Sequence, residues 1–289
     1  MRQTSRLRKL LSQKDIIIAP GAADALVARI IEKAGFNALY LTGAGVSYTT
    51  LGLPDVGLIT MTEMVTRAEN ICSVVNLPVI ADGDTGYGNA LNVSRTVRAY
   101  ERAGVAAIQL EDQVFPKHCG HMAGKQLISR QEMVGKIKAA LDARTDHDFV
   151  VIARTDARGV TGLADALERA QAYEEAGADV IFVEAPESVE EMRRITSAVQ
   201  LPTLANMVEG GKTPLLSASE LQNIGYKIVI FPNTAIRSLI KTVTEVMQEL
   251  HATGTTKGLL NRMLTFNELN ALLGLNRVRE QEQRYAAID

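Results

Sequence analysis

Eight short apolar runs, each followed by a stretch long enough for a helix, constrain this chain more than any other feature. In order they are Ile16–Pro20, Ala38–Gly43, Pro78–Asp84, Ala106–Asp112, Phe149–Asp156, Asp179–Ala185, Pro202–Val208 and Lys227–Asn233. Continuous Val, Ile, Leu and Ala, rather than apolar–polar alternation, marks strands buried on both faces of a parallel sheet. Between them lie amphipathic segments such as Asn89–Ala103, Arg130–Arg144 and Leu163–Ala176. Three such segments end in Ala-Gly (Ala34-Gly35, Ala103-Gly104, Ala176-Gly177), where Gly accepts the left-handed cap conformation. Eight strand–helix units in ~250 residues are the count for a (β/α)8 TIM barrel. No Pro/Ser/Gly-rich linker interrupts the series, so one domain is expected, with the barrel over 1–254 and a helical extension over 255–289.

The spacing of the runs is uneven. Most units repeat every 22 to 30 residues, but the second to third takes 40 and the fourth to fifth takes 43. The surplus falls at about 44–61 and 113–129, in loops that open onto the carboxyl-terminal face, where barrels build their active sites. Long loops there usually act as functional lids.

Polar residues collect at the same ends. The third run ends Asp82-Gly83-Asp84-Thr85-Gly86 and the fourth Glu111-Asp112-Gln113; the fifth, sixth and seventh end in Arg154-Thr155-Asp156, Glu184-Ala185 and Asn206. Acids converging on one partly dry mouth repel one another unless a cation sits among them. Carboxylates with bound water suit Mg²⁺, which keeps several waters. Side chains two apart on an extended strand point the same way, so Asp82 and Asp84 are expected to address one ion together with Glu111. The bland alternative is a cap network with Arg154.

The loop after the fourth run reads Pro116-Lys117-His118-Cys119-Gly120-His121-Met122-Ala123-Gly124-Lys125. Cys72, on an apolar helix face, fits a small buried hydrophobe. Cys119 differs, because it lies in a polar loop beside Lys117, His118 and His121, whose positive charge favours a thiolate. One Cys and two His within four positions lack the spaced pairs of a zinc site. Two chemical readings stand at this point: a covalent nucleophile, or a proton donor/acceptor delivered by the loop.

The segments Asp82-Gly83-Asp84-Thr85-Gly86-Tyr87-Gly88, Glu111-Asp112-Gln113, Lys117-His118-Cys119-Gly120-His121 and Ala153-Arg154-Thr155-Asp156 resemble the isocitrate lyase/phosphoenolpyruvate mutase superfamily. The resemblance runs from about Ile16 to Leu269 and is strongest to the short lyases that act on 2,3-dimethylmalate or 2-methylisocitrate. It implies Mg²⁺-dependent cleavage (Mn²⁺ being the alternative ion) of the C–C bond next to a 2-hydroxy acid. The 2-hydroxyl becomes the carbonyl of pyruvate and the other fragment leaves as an enolate. By position, Asp82 would bind the metal directly, with Asp84, Glu111 and Asp55 acting mainly through its waters. Thr42, Gly43 and Ala44 would hold the pyruvate-side carboxylate and Arg154 an oxyanion. Gly120, Glu184, Asn206, Val208, Arg237 and Phe266 complete the implied substrate set. Cys119 would protonate the enolate carbon with Lys117 and His121 beside it, and Tyr40 is a candidate for the hydroxyl proton.

Departures from the family pattern bear on the substrate. His118 stands where relatives commonly carry Arg or Lys, and Val208 and Phe266 where methylisocitrate-cleaving relatives carry Thr and Arg. A third carboxylate would want a cation or donor there, whereas a methyl group would want Val and Phe. A dicarboxylate with an apolar branch, such as 2,3-dimethylmalate, is therefore expected, with 2-methylisocitrate next. Phosphoenolpyruvate mutases typically have Asn where Cys119 stands, so the loop argues for a lyase. A carboxyvinyl-carboxyphosphonate phosphorylmutase-type enzyme and an oxaloacetate-cleaving enzyme share the barrel and remain alternatives, as does a non-catalytic binding barrel.

The tail wants burial for Met263, Leu264, Phe266, Leu269, Leu272 and Leu273. The resemblance implies a helix exchanged between subunits in a homotetramer, a dimer of such pairs. A formal net charge of −2 gives no electrostatic case for nucleic acid. No apolar run approaches the roughly 20 residues that span a bilayer. The basic start, Met1-Arg2-Gln3-Thr4-Ser5-Arg6-Leu7-Arg8, lacks the apolar stretch of a secretory signal. Two cysteines are too few for a disulfide scaffold, and a reducing cytoplasm is the expected compartment.

Overall fold

The computed structural model describes residues 1–120, 122 and 124–286. Its strands are β1 Ile17–Ala22, β2 Leu39–Leu41, β3 Val79–Asp82, β4 Ala107–Glu111, β5 Val150–Thr155, β6 Val180–Val183, β7 Thr203–Asn206 and β8 Ile228–Phe231. Its helices are α1 Gln3–Ser12, α2 Ala25–Lys33, α3 Gly43–Leu51, α4 Met61–Cys72, α5 Ala90–Arg102, α6 Arg130–Ala143, α7 Leu163–Glu175, α8 Val189–Ala198, α9 Ala218–Ile224, α10 Thr234–Thr253, α11 Phe266–Leu273 and α12 Leu275–Ala286. Each of the eight runs became a strand, shortened at its ends except that β1 runs on past Pro20 to Ala22. The strands pair in chain order, all parallel, and β8 closes on β1 through Ile17–Ile228 to Pro20–Phe231.

Two apolar layers hold the barrel. The interior is filled by Ala19, Tyr40, Ile80, Ile152, Phe182 and Ile230. Outward-facing strand residues such as Leu39, Ala81, Ile108, Val151 and Ile181 pack against the helices through Ile71, Val97, Ile137 and Tyr173. Helix starts are capped as the sequence permits: Asn89 accepts from the N–H groups of Leu91 and Asn92, and Ser129 from that of Glu132. The three Ala-Gly stops carry Gly35, Gly104 and Gly177 at φ of 90°, 90° and 96°.

Two features depart from the sequence reading. The first is α1, in the basic start of the chain, where the sequence reading places no element. Leu7 is fully buried in the interior cluster, with Leu10 and Leu11 packed against it. Polar groups of α1 bond to residues just ahead of strands: Arg6 to Asn76 O, Thr4 to Asp146 and Arg8 to Asp148 O. This helix therefore floors the amino-terminal mouth, opposite the loops. Its apolar residues are too few to stand out by periodicity alone.

The second is the segment expected to be a loop over about 44–61, half of which is helix. The N-cap Thr42 accepts from Gly45 N, and α3 ends at Gly52 with φ 66°. Its first five residues are buried, and no amphipathic pattern marks it, because most of its surface faces protein.

By contacts the chain forms two compact units, Met1–Ala235 and Ile236–Asp289, a division ahead of the expected one at 254. The first is the barrel. The second comprises most of α10, a 3₁₀ turn over Lys257–Arg262, α11 and α12, with Arg262 paired to Glu245 at 2.6 Å. Among the described residues no helix is long and apolar enough to cross a membrane.

Leu7→Ala tests the floor. The cavity it leaves is expected to cost about 2–5 kcal/mol, read as a lower urea midpoint, while turnover per folded molecule stays unchanged. An unaltered midpoint would contradict the buried position.

Candidate active site

The carboxyl ends of the strands surround a cavity lined by Tyr40, Thr42, Ala44, Asp55, Asp82, Lys117, Cys119, Gly120, Arg154, Asn206, Val208, Ile230, Pro232 and Asn233. Eleven of the expected site residues thus share one wall. Gly43, Asp84, Glu111 and Glu184 stand directly behind it through bonds to lining residues. Arg237, on the first turn of α10, and Phe266, at the start of α11 and 80% exposed, belong to the second unit. His121 lies outside the described residues, as does Ala123.

Strand β3 supplies the first acid. Asp82 ends the strand and is held by its surroundings. Gly43 N donates to its Oδ2 at 3.3 Å, while Asp84 N (3.1 Å) and Gln109 Nε2 (3.4 Å) donate to its Oδ1. A Cβ at residue 43 would sit 2.8 Å from that Oδ2, so only Gly lets the start of α3 approach. The expectation that Asp82 and Asp84 share a strand face needs correction. The strand stops at Asp82, and Asp84 lies in a turn with φ 46°. The turn, not strand alternation, directs the Asp84 carboxylate to Lys117.

Lys117 is the cation among the acids. Its ammonium is 2.6 Å from Asp55 Oδ1 and 2.8 Å from Asp84 Oδ1, and it is almost fully buried. Against the cost of burial, the Asp84 and Asp55 carboxylates hold its pKa well above the usual value. Lys117 therefore ties the loop after β4 to both the loop after α3 and the turn after β3. Cys119 N adds a bond to Asp55 O at 3.2 Å.

Arg154 is the second cation. Asp156 grips it through Nε at 2.9 Å and Nη2 at 3.0 Å, and Glu111 Oε2 lies 3.4 Å from Nη1. Its guanidinium sits 5.2 Å from the centre of the Phe182 ring. Although burial raises it, the Asp156 carboxyl is pulled down to about 2 by Arg154 and Lys125. On the far side, Asn206 Nδ2 donates to Glu184 at 3.2 Å.

Burial pushes the Asp82 carboxyl up, and the neighbouring Asp84 charge adds to it, against Lys117 and Arg154. Burial also lifts Glu111 well above the carboxylate range, opposed chiefly by Arg154, and its Oε1 is buried with no hydrogen-bond partner. The mouth holds four buried carboxylates, Asp55, Asp82, Asp84 and Glu111, beside the two cations Lys117 and Arg154. A hard divalent cation fits this set of oxygen donors. Among the described residues no group of three or more His, Cys, Asp or Glu side chains is already gathered around one point as a metal cage. Tyr40 donates to Gln109 Oε1 at 3.2 Å, and burial followed by the Asp82 charge raises its pKa well above normal. At neutral pH it is a hydrogen-bond donor, not a standing base.

The family described as phosphoenolpyruvate phosphomutase matches residues 7–251. The chain belongs to the phosphoenolpyruvate mutase/isocitrate lyase superfamily. Within it, the chain is 54% identical over 286 residues to the 2,3-dimethylmalate lyase of Eubacterium barkeri, covering 99% of each chain. It is 49% identical to the 2-methylisocitrate lyase of Aeropyrum pernix over 98% of this chain and 90% of that one. A crystal structure of a 2,3-dimethylmalate lyase superposes with a TM-score of 0.94 at 40% identity, covering 100% of this chain and 98% of that one. These relatives place the chain among the carbon–carbon lyases of the superfamily.

Sequence reasoning passed over Asn233, Pro232, Gln109 and Lys125. The first was within reach, since Asn233 closes the eighth run as Asn206 closes the seventh. Gln109 faces inward from mid-strand, which nothing in its local sequence announces.

Asp156 carries a pH prediction. Its folded pKa of about 2 is below the ordinary ~3.9, so its stabilisation is complete above about pH 4 and is lost as pH falls through about 2. Asp156→Asn is expected to lower unfolding free energy at pH 7 by on the order of 2–4 kcal/mol. The gap should narrow as pH falls from 4 toward 2. Parallel pH curves in urea unfolding would refute the pairing.

Proposed function

We propose that this lyase cleaves a 2-hydroxy dicarboxylate with an apolar branch, 2,3-dimethylmalate, to pyruvate and propionate. The observation that carries the choice is Val208, with Ile230 and Pro232, on the cavity wall. A methyl group is satisfied there, whereas a third carboxylate would be buried without a partner. The reading is also supported by the 2,3-dimethylmalate lyase of Eubacterium barkeri, the most similar of the relatives described above. 2-Methylisocitrate, giving pyruvate and succinate, is the second substrate to consider, on the similarity to the Aeropyrum pernix lyase.

In this reading the C2–C3 bond breaks as the 2-hydroxyl hands its proton to a carboxylate of the mouth, and that proton balances the one Cys119 gives to the enolate carbon. The C2–C3 electron pair passes to the departing fragment as a carboxylate-stabilised enolate, and C2 becomes the pyruvate carbonyl. Asp82 would hold Mg²⁺ directly, with Asp55, Asp84 and Glu111 reaching it through water. When bound, the ion supplies positive charge beside the oxygens on which negative charge develops. Arg154, kept in place by Asp156, stabilises the enolate oxygen. The amino end of α3 presents Thr42, Gly43 and Ala44 to the pyruvate-side carboxylate. Tyr40 donates a hydrogen bond within the site. Cys119 gives its proton to the enolate carbon, which is acid catalysis rather than acylation. Lys117 keeps the acids paired and the Cys119 loop seated.

We also propose that the second unit serves assembly, its helix exchanged between subunits of a homotetramer. Its exposed Leu239, Ile240, Val243, Leu264, Phe266 and Leu273 support a covered face, and Phe266 would then border a neighbour's site.

Assays with Mg²⁺ should give a higher kcat/KM for 2,3-dimethylmalate than for 2-methylisocitrate; the reverse order sinks the substrate assignment. The double variant Val208→Thr/Phe266→Arg is expected to move that ratio toward methylisocitrate by about tenfold or more. Cys119→Ala should abolish turnover while Mg²⁺ and product binding persist, and full activity would remove Cys119 from the mechanism. Truncation after Gly254 should leave the tetramer unable to form. A tetramer that survives it would refute the exchange.

A further inference from the structure

Cys119 sits near the tip of a loop whose two stems are zipped together. Gln113 and Leu127 form an antiparallel bridge, and Val114 N donates to Gln126 O at 2.8 Å. We propose that Gln113 and Lys125 are positioning residues that place Cys119 over the cavity, each gripping the main chain on one side of it. Gln113 is fully buried. Its Nε2 donates to His118 O at 2.9 Å and its Oε1 accepts from His118 N at 3.0 Å. One carboxamide thereby satisfies both main-chain polar groups of the residue before Cys119, as a neighbouring strand would. Lys125 holds the other side, donating from Nζ to the carbonyl of Gly120 and, at 2.8 Å, to Asp156 Oδ1.

The charge arrangement explains why a lysine can serve there. A buried ammonium facing only a carbonyl would be strongly disfavoured, but Asp156 covers its charge. The same carboxylate orients Arg154, so one acid registers the loop against the anion clamp. Gly120 shows how tight that register is: a Cβ would lie 2.5 Å from Arg154 Nη2 and 2.7 Å from Glu184 Cδ. Proton delivery to carbon depends on such placement, since an error of ~1 Å can cost about a hundredfold in rate. Both gripping residues lie within the loop itself, so the loop carries its own template. The effect on turnover rests on Cys119 as the proton donor; the placement does not.

The test is kcat, KM, melting temperature and the alkylation rate of Cys119 by iodoacetamide, followed by mass spectrometry, in Gln113→Met and Lys125→Met. Expected are a kcat lower by about 10- to 100-fold with KM changed little, alkylation about tenfold faster, and a melting temperature only a few degrees lower. Lys125→Arg, which keeps the pair with Asp156, should recover most of the kcat. Gln113→Glu, which retains only the acceptor for His118 N–H, should behave like Gln113→Met and substitutes for it should that variant not fold. Unchanged alkylation together with unchanged kcat overturns the proposal, as does a rise in KM alone. If Cys119→Ala keeps full turnover, the proton-donor role falls and the alkylation rates by themselves decide the placement.

Discussion

Asp55, Asp82, Asp84 and Glu111 occupy one buried mouth, and like charges at such spacing are tolerated only with positive charge between or beside them. Lys117 and Arg154 supply part of it, and the remaining excess suits a divalent ion. This balance organises the whole face of the barrel. Lys117 comes from the loop after β4 but is paired to acids outside it, so that loop is seated by the electrostatics of the site itself. Arg154 keeps its place because Asp156 takes the bidentate contact.

The acids can stand so close because the scaffold below them is rigid and apolar. Strand ends inside a closed sheet have few ways to relax. Behind β5, Asp112 receives Thr155 Oγ1, Asp156 N, Arg169 and Tyr173 OH, a fully bonded buried carboxylate. Its own pKa is raised by burial and by Asp156, yet four donors compensate the charge. The site is thus a layer of charge resting on a layer of satisfied polar contacts, above an interior of hydrocarbon. The floor made by α1 closes the opposite end, which leaves the loop face as the mouth in use.

Much of this was legible in one dimension. Double-sided burial writes itself as unbroken apolar runs, and the polar residues that end those runs are where a barrel does chemistry, so Asp82, Glu111, Arg154, Glu184 and Asn206 could be picked out directly. The Cys119 loop was conspicuous because a polar, Gly-containing stretch interrupts a regular repeat. Short α3 was not legible, since its buried start carries no amphipathic signature. Only the shared strand face of Asp82 and Asp84 was misjudged, because a left-handed turn leaves no mark that distinguishes it from an extended strand.

By itself the sequence determined the barrel, the face that reacts and the residue types that gather there, because burial and strand direction are encoded by neighbours along the chain. The tertiary structure alone decided the partners: Lys117 with Asp55 and Asp84, Asp156 shared between Arg154 and Lys125, and Gln113 folded onto His118. Pairings of this kind depend on distances of about 3 Å between groups, and those between separate elements are set by strand register and loop path, which no local pattern of residues records.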